Sequence, residues 1–140
     1  MEQKDVLLAC LAVAGKESYR PVQIQKMVFL LQDRGLKEKV FNFTPFDYGP
    51  FDPQIYQKLE ELSSEGVVEI LGEPFAKNRK YRLRPEGQER ANAAFKKLSL
   101  QNQEFISRLF GWIKGLSFAQ LVGAIYIDYP EMRVNSVFRG

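Results

Sequence analysis

Apolar residues recur at helical spacing in six stretches of the chain, and most of these stretches begin or end at a glycine, a proline or a capping residue. The pattern predicts α-helices over about residues 5–14, 21–34, 53–65, 85–98, 99–115 and 118–129. The first is apolar on nearly every face, which is typical of a helix buried in a core or at an interface. Residues 67–71 and 80–84 have the β-branched or alternating character of two strands joined by a turn.

The third predicted helix has the clearest start and end signals. Gly49 and Pro50 form a turn before it. Asp52 is a good N-cap, and Pro53 occupies the first helical position, where a missing N–H costs nothing. Gly66 ends the helix. Its inner stripe, at i, i+4 and i+7, consists of Ile55, Tyr56, Leu59 and Leu62.

The two predicted strands and their loop carry a stripe of cations. Side chains alternate between the faces of a strand, so Tyr81 and Leu83 are expected to face the core. The cations that point outward or lie on the loop are Lys77, Arg79, Lys80, Arg82 and Arg84. Such a stripe suits a phosphate backbone, because Lys and Arg replace condensed counterions there. It equally suits a solvated sheet edge, where charges discourage aggregation.

The succession of helix, glycine, strand and basic hairpin resembles a winged-helix unit. We therefore expect a mainly α fold with a small antiparallel β-hairpin, that is, a winged-helix domain with additional C-terminal helices. At 140 residues the chain is expected to form a single domain over residues 1–140. Its core is expected over about 5–98 and a helical extension over about 99–140.

Composition narrows the classes of function. The chain has no histidine, the commonest general base and a common metal ligand, and no phosphate-cradling glycine loop. We therefore expect no enzymatic activity, no catalytic residue, no metal site and no cofactor. Cys10, the only cysteine, lies in the apolar first helix, which fits a reducing, cytoplasmic setting. No apolar run approaches the ~20 residues of a membrane span, and a net charge of +3 permits nucleic-acid binding without requiring it.

Residues 54–91 resemble the second half of winged-helix transcriptional regulators. There, a leucine-rich helix leads into a hydrophobic strand, a wing and a Tyr-x-Leu-Thr-Pro-Glu-Gly sequence. The matching residues are Leu59, Leu62, Glu65, Gly66, Val67, Val68, Tyr81, Leu83, Pro85, Glu86 and Gly87. Arg84 stands where that pattern has threonine. The resemblance implies a DNA-binding regulator, and the same fold also serves protein-binding modules.

Residues 22–62 resemble a family of small prokaryotic proteins related to the Panacea antitoxin domain. That family has an Ile-Gln-Lys helix and, later, an aromatic segment leading into Tyr-Gly-Pro and a further proline. The matching residues are Ile24, Gln25, Lys26, Phe29, Phe43, Phe46, Tyr48, Gly49, Pro50, Pro53, Ile55 and Tyr56. The resemblance implies a prokaryotic origin and a role in regulation or toxin neutralisation.

The first functional hypothesis is a regulator that binds double-stranded DNA. The third helix would enter the major groove, and the hairpin cations would follow the adjacent backbone. Gln54, Gln57 and Lys58, near the start of the helix, would contact base edges or phosphates. The carboxylates of the same helix oppose a flat approach to a polyanion, so only an end-on entry fits. They are Glu60, Glu61 and Glu65.

The second hypothesis is a protein-interaction module, antitoxin-like or a homodimer subunit, that does not bind DNA. Its candidate contact residues are Phe46, Tyr48 and Trp112. The aromatic residues over 40–51 either cover the core between two helices or form a groove for a partner. Substitution of the hairpin cations distinguishes the two hypotheses, because it removes DNA binding and leaves an aromatic partner site intact.

Three local patterns give further expectations. Phe41 and Phe43 alternate with polar residues, as in a short strand. Ser117 and Gln120 form a capping box at the start of the last helix. On the second helix the polar side chains are expected either on a solvated outer face or as contact residues. They are Gln23, Gln25 and Lys26.

Overall fold

The computed structural model describes residues 1–139 and is mainly α-helical. The six α-helices over these residues are α1 (Gln3–Ala14), α2 (Pro21–Leu30), α3 (Gln54–Ser64), α4 (Gln88–Lys96), α5 (Leu100–Lys114) and α6 (Phe118–Asp128). A π-helical turn, Leu31–Leu36, extends α2, and 3-10 turns occupy Pro85–Gly87 and Pro130–Arg133.

Two antiparallel hairpins lie between the helices. β1 (Thr44–Phe46) pairs with β2 (Gly49–Phe51), and β3 (Val68–Leu71) pairs with β4 (Lys80–Leu83). The expected mainly α fold with a small antiparallel hairpin is confirmed. α3, β3 and β4 follow one another in the order of a winged helix, and the first hairpin is an addition that the sequence pattern did not predict.

α1 lies at the centre of the core, as its all-round apolar sequence predicts. It packs against α4, α3, α2 and α5. Cys10 is fully buried on α1, and burial raises the pKa of its thiol to about 12. The same apolar cluster includes Ile106 of α5 and Ile125 of α6, so the C-terminal helices share one core with the helices before them.

The start of α3 follows the predicted capping chemistry. The Asp52 carboxylate accepts hydrogen bonds from the backbone N–H of Gln54 at 2.9 Å and from that of Asn42 at 2.7 Å. Pro53 already has helical dihedral angles, with φ −63° and ψ −19°. At the other end, Gly66 has φ +78°, a left-handed value that glycine adopts without strain.

The β3–β4 hairpin has the predicted alternation of faces. Tyr81 and Leu83 are buried, whereas Arg82 and Arg84 are exposed. Tyr19 holds the hairpin against the chain before α2, because its backbone N–H and C=O exchange hydrogen bonds of 2.8 and 2.9 Å with those of Tyr81. The outward-facing cations Arg82 and Arg84 therefore lie on or beside a strand that backbone hydrogen bonds fix to the rest of the protein.

The predicted strand at Phe41 and Phe43 is wrong. Gln32 Oε1 accepts a hydrogen bond from the Phe41 N–H at 2.8 Å, and Gln32 Nε2 donates to the Phe41 carbonyl oxygen at 3.0 Å. A side chain thus takes the backbone hydrogen bonds that a neighbouring strand would otherwise take. The phenylalanines turn toward the core, where Phe43 meets Phe29 edge to face at 5.2 Å.

The second helix ends differently from the prediction, and the last helix begins as predicted. The helix predicted to reach residue 34 widens into the π turn, where Gly35 comes so close to α5 that a Cβ would lie 2.8 Å from Asn102 Oδ1. The capping box that starts α6 is confirmed. Gln120 N–H donates to Ser117 Oγ at 3.1 Å, and Ser117 N–H donates to Gln120 Oε1 at 2.9 Å.

The expectation that Gln23, Gln25 and Lys26 face solvent or a partner is wrong, because α2 is covered by α1 and α5 and also by β2 and α6. Gln25 exchanges hydrogen bonds of 2.9 and 3.0 Å with the backbone of Asp52. Lys26 Nζ donates to the Pro50 carbonyl oxygen at 3.1 Å. Burial lowers the pKa of Lys26 to about 7. We call Gln25, Lys26 and Asp52 the buried polar cluster.

Candidate functional site

α3 and the β3–β4 hairpin form one continuous surface, which we call the α3–hairpin surface. β3 packs directly against α3. Arg79 Nη2, at the start of the returning strand, lies 3.2 Å from Glu60 Oε1 on α3. The same guanidinium lies over the ring of Tyr81, 5.7 Å from its centroid. The residues expected to contact nucleic acid on the helix and on the hairpin therefore lie next to one another.

On α3 the candidate contact residues lie near the start of the helix. Gln54 and Gln57 are exposed, and their spacing of one turn puts both amides on the same face. Lys58 is half-buried, and its Nζ lies 3.4 Å from Glu61 Oε2. The two glutamines are thus free to donate and accept hydrogen bonds, whereas the charge of Lys58 is partly balanced within the helix.

The acidic side chains of α3 have cationic partners. Lys4 Nζ lies 3.1 Å from Glu61 and 2.7 Å from Glu65, and Arg90 Nη1 lies 2.5 Å from Glu65. Hydrogen bonds from Lys4 lower the pKa of both carboxyl groups, and the Glu65 carboxylate in turn raises the pKa of Lys4. Glu60 is paired with Arg79 of the hairpin. These ion pairs weaken the repulsion that the carboxylates would exert on a polyanion.

The hairpin retains positive charge after its own pairing. Arg82 lies 2.5 Å and Arg84 lies 3.9 Å from the single carboxylate of Glu69, so two guanidinium groups share one negative charge. Within residues 1–139, Lys77 and Lys80 take part in no ion pair. The expected hairpin cations are all present on one element, and their excess over carboxylates is available to an anionic partner.

Further cations near α3 were missed in the sequence pattern. An open depression of about 610 Å³ beside the helix is lined by the cations Lys4, Lys39 and Lys58 and by the acidic residues Glu2 and Glu38. Lys4 and Lys39 come from segments distant in sequence from α3, so no local signal indicates that they belong to this surface. They lie beside Lys58 of α3 in this depression.

The hairpin loop also carries an apolar residue that the sequence analysis did not single out. Phe75 is fully exposed and has φ +61°. Its signal in the sequence is a phenylalanine after Pro74 in an otherwise polar connection between two strands. The loop therefore presents one large apolar side chain among the cations.

The candidate partner-binding residues do not form a single site. Phe46 stacks on Phe51 at 4.8 Å, Tyr48 meets Phe118 edge to face at 4.9 Å, and all but Phe51 are 42–48% exposed. Trp112 lies on α5 and is 44% exposed, but no aromatic pair within residues 1–139 joins it to these rings. We call Phe46, Tyr48 and Phe118 the aromatic edge.

Other kinds of site receive no support from the described part of the chain. Over residues 1–139, no group of three or more Asp, Glu, Cys or His side chains is placed to hold a metal ion. No helix in this range has both the length and the apolar character needed to cross a membrane. Comparison with known protein families gives no match, and comparison with curated proteins gives none either.

Proposed function

We propose that this protein is a winged-helix regulatory protein that binds double-stranded DNA through the α3–hairpin surface. The observation that carries the proposal is the junction of Arg79 and Glu60, which places the exposed glutamines of α3 beside a hairpin with unpaired cations. The proposed activity is binding, and no residue of this surface is assigned a catalytic role.

The distribution of charge along α3 defines how the helix would enter the groove. Gln54 and Gln57 lie in its first half, and a glutamine amide fits the donor and acceptor pattern of adenine in the major groove. Glu61 lies in its second half, Glu65 directly follows its last residue, and both are held by Lys4 or Arg90. An end-on entry puts the amides against base edges and keeps the carboxylates away from the phosphates.

The hairpin would lie along the adjacent backbone. Lysine and arginine side chains that contact phosphates release condensed counterions, so the affinity falls linearly with salt on a logarithmic scale, with a slope of about −0.9 per contact. Three such contacts correspond to a loss of about 40-fold between 50 and 200 mM salt. This dependence distinguishes phosphate contacts from any apolar association.

The test is fluorescence anisotropy of a labelled duplex titrated with the protein at both salt concentrations. The variant Lys77→Ser/Lys80→Ser/Arg82→Ser is expected to bind far more weakly and with a flatter salt slope. The matched control, Lys37→Ser/Arg108→Ser/Arg133→Ser, removes the same charge from exposed positions elsewhere and is expected to bind nearly as well as the original protein. Absence of binding at about 10⁻⁴ M protein in low salt, or an equal loss in both variants, would overturn the proposal.

A second candidate function is supported by the aromatic edge. Tyr48 packs on Phe118, Phe46 stacks on Phe51, and the three rings of the edge are partly exposed. Aromatic side chains are enriched at the centre of protein interfaces. We propose that a second copy of this chain occupies this edge. Sedimentation equilibrium tests it: self-association that is lost in Phe46→Ser/Tyr48→Ser and retained in the hairpin triple variant supports a homodimer. A monomer at every concentration would contradict it.

A further inference from the structure

The tip of the β3–β4 hairpin has an unusual combination of properties at one residue. Phe75 buries none of its ring against the protein, although burial of aromatic surface is a large source of stability. Its φ of +61° lies in the left-handed region, which is unfavourable for a bulky side chain. The fold thus gains nothing from a phenylalanine here, and glycine would relieve the backbone strain.

The loop that carries Phe75 is internally hydrogen-bonded. The Ala76 N–H donates to the Glu73 carbonyl oxygen at 3.1 Å, and the Glu73 N–H donates to Asn78 Oδ1 at 3.2 Å. At its base, Arg79 Nη1 donates to the Gly72 carbonyl oxygen at 3.2 Å. These bonds close the loop on itself, so the backbone that carries the ring is held away from the body of the protein.

The surroundings of the ring indicate what it meets. Pro74 is also exposed beside it, Glu73 precedes it and the exposed Lys77 follows it, whereas Arg79 is only 14% exposed and is paired with Glu60. An exposed apolar tip followed by positive charge resembles the side chains with which DNA-binding proteins enter a groove, where phenylalanine and proline act as wedges between base steps. Lys77, two residues after the ring, would hold such a tip against the phosphates that line the groove.

We infer that Phe75 inserts its ring into the minor groove at the edge of the DNA site, partly unstacking one base step and bending the duplex. This inference rests on the proposed DNA binding and adds the residue that deforms the DNA. Flexible pyrimidine–purine steps unstack most easily, so the preferred target carries a TA or CA step where the hairpin tip reaches the groove.

The experiment separates apolar insertion from charge neutralisation. Anisotropy titrations measure affinity and salt slope, and energy transfer between dyes at the two duplex ends measures the bend. Phe75→Ala is expected to weaken binding about tenfold, within the range measured when a stacking ring is removed. The salt slope should stay unchanged because no phosphate contact is lost. The bend of roughly 20–90° seen for wedge residues should disappear.

Two further variants act as controls. Phe75→Leu keeps an apolar wedge and is expected to retain part of the bend. Leu100→Ala removes another solvent-exposed apolar side chain, at the start of α5, and is expected to change neither affinity nor bend. Since Phe75 makes no core contact, circular dichroism should show that Phe75→Ala folds as the original protein does.

The outcomes distinguish this inference from the proposed function. If the original protein shows no salt-dependent DNA binding, the proposed function and this inference fall together. If it binds and the hairpin cations matter, but Phe75→Ala leaves affinity and bend unchanged, the proposed function stands and the inference is overturned. In that case the ring is free to serve as a contact to another protein.

Discussion

The dipeptide Gln-Lys occurs on three helices of this protein, and its copies on α2 and α3 lie in opposite environments. Gln25 and Lys26 on α2 are 1% and 2% exposed. Gln57 on α3 is exposed, and the side chain of Lys58 is 28% exposed. The same two side chains are therefore part of the core on α2 and part of a candidate contact surface on α3. The packing around each helix decides between the two roles.

The difference lies in how many sides of the helix are covered. α3 packs on α1 and β3 and leaves its opposite face to solvent, whereas α2 is enclosed by α1, α5, β2 and α6. An enclosed polar group must be hydrogen-bonded, because an unpaired one costs about 1–3 kcal/mol. The Gln25 amide meets this condition with the backbone of Asp52, and the Lys26 amine meets it with Pro50.

The largest expected effect is the difference between Gln25 and Gln57 in how much their substitution lowers the free energy of unfolding. Gln25→Leu leaves the buried N–H and C=O of Asp52 without partners and is expected to lower the free energy of unfolding by about 2–4 kcal/mol. Gln57→Leu lies on the exposed face of α3 and is expected to change it by less than about 0.5 kcal/mol. Urea denaturation followed by circular dichroism measures both. Equal effects would contradict the contrast between the helices.

Lys26 and Lys58 are expected to differ in how they affect the pH dependence of stability. The pKa of Lys26 is lowered to about 7 in the folded protein, below its unfolded value, so between these values the unfolded state binds the extra proton. Stability contributed by this site therefore rises as the pH rises above 7 and is flat below it. The expected gain is about 1–2 kcal/mol between pH 7 and 8.5.

Lys26→Met is the variant that tests this slope. Its stability is expected to stay level over the same pH window, while Lys58→Met on α3 is expected to keep the slope of the original protein. The window ends near pH 8.5 because the raised pKa of the Cys10 thiol has the opposite sign, removing stability above the pKa of the unfolded thiol. A slope that persists in Lys26→Met would show that another group titrates.

The sequence predicted α3 and the β3–β4 hairpin well, because the signals that define them are local. The start of α3 at Asp52 and Pro53, its end at Gly66 and the alternation around Tyr81 all depend on residues next to one another. Capping chemistry and the period of two along a strand need no knowledge of the rest of the fold. The helix and hairpin of the candidate site follow directly from such signals.

The burial of the polar residues of α2 could not be predicted, because it depends on parts of the chain that are distant in sequence. α2 has apolar residues on most of its circumference, and its few polar residues read as an outer face until β2 and α6 cover them. The pairing of Lys4 with Glu61 and Glu65 is equally non-local. Phe75 was missed for another reason: its residue type is visible in the sequence, but its full exposure and its positive φ depend on the path of the loop.

A smaller effect is expected at the hairpin tip. Phe75 has a left-handed backbone, so Phe75→Gly is expected to be more stable than Phe75→Ala by about 1 kcal/mol, because only glycine relieves the strain. Lys77, in the same loop, has no such φ, so Lys77→Gly is expected to be less stable than Lys77→Ala by about 0.5–1 kcal/mol. Thermal unfolding measures both pairs, and the same sign in both would contradict the strain at Phe75.

The smallest expected change in stability, under about 0.5 kcal/mol, concerns the half-exposed ion pairs of the hairpin. Glu69→Gln removes the carboxylate that Arg82 and Arg84 share and leaves both guanidinium groups charged. Exposed pairs add little to folding, but each freed cation can meet a phosphate, so DNA affinity is expected to rise a few-fold. The salt slope should steepen by up to about 0.9 for each new contact. A tighter-binding, equally stable variant would show that the charges on this surface serve a partner rather than the fold. Unchanged affinity at both salt concentrations would instead mean that Arg82 and Arg84 do not face the nucleic acid.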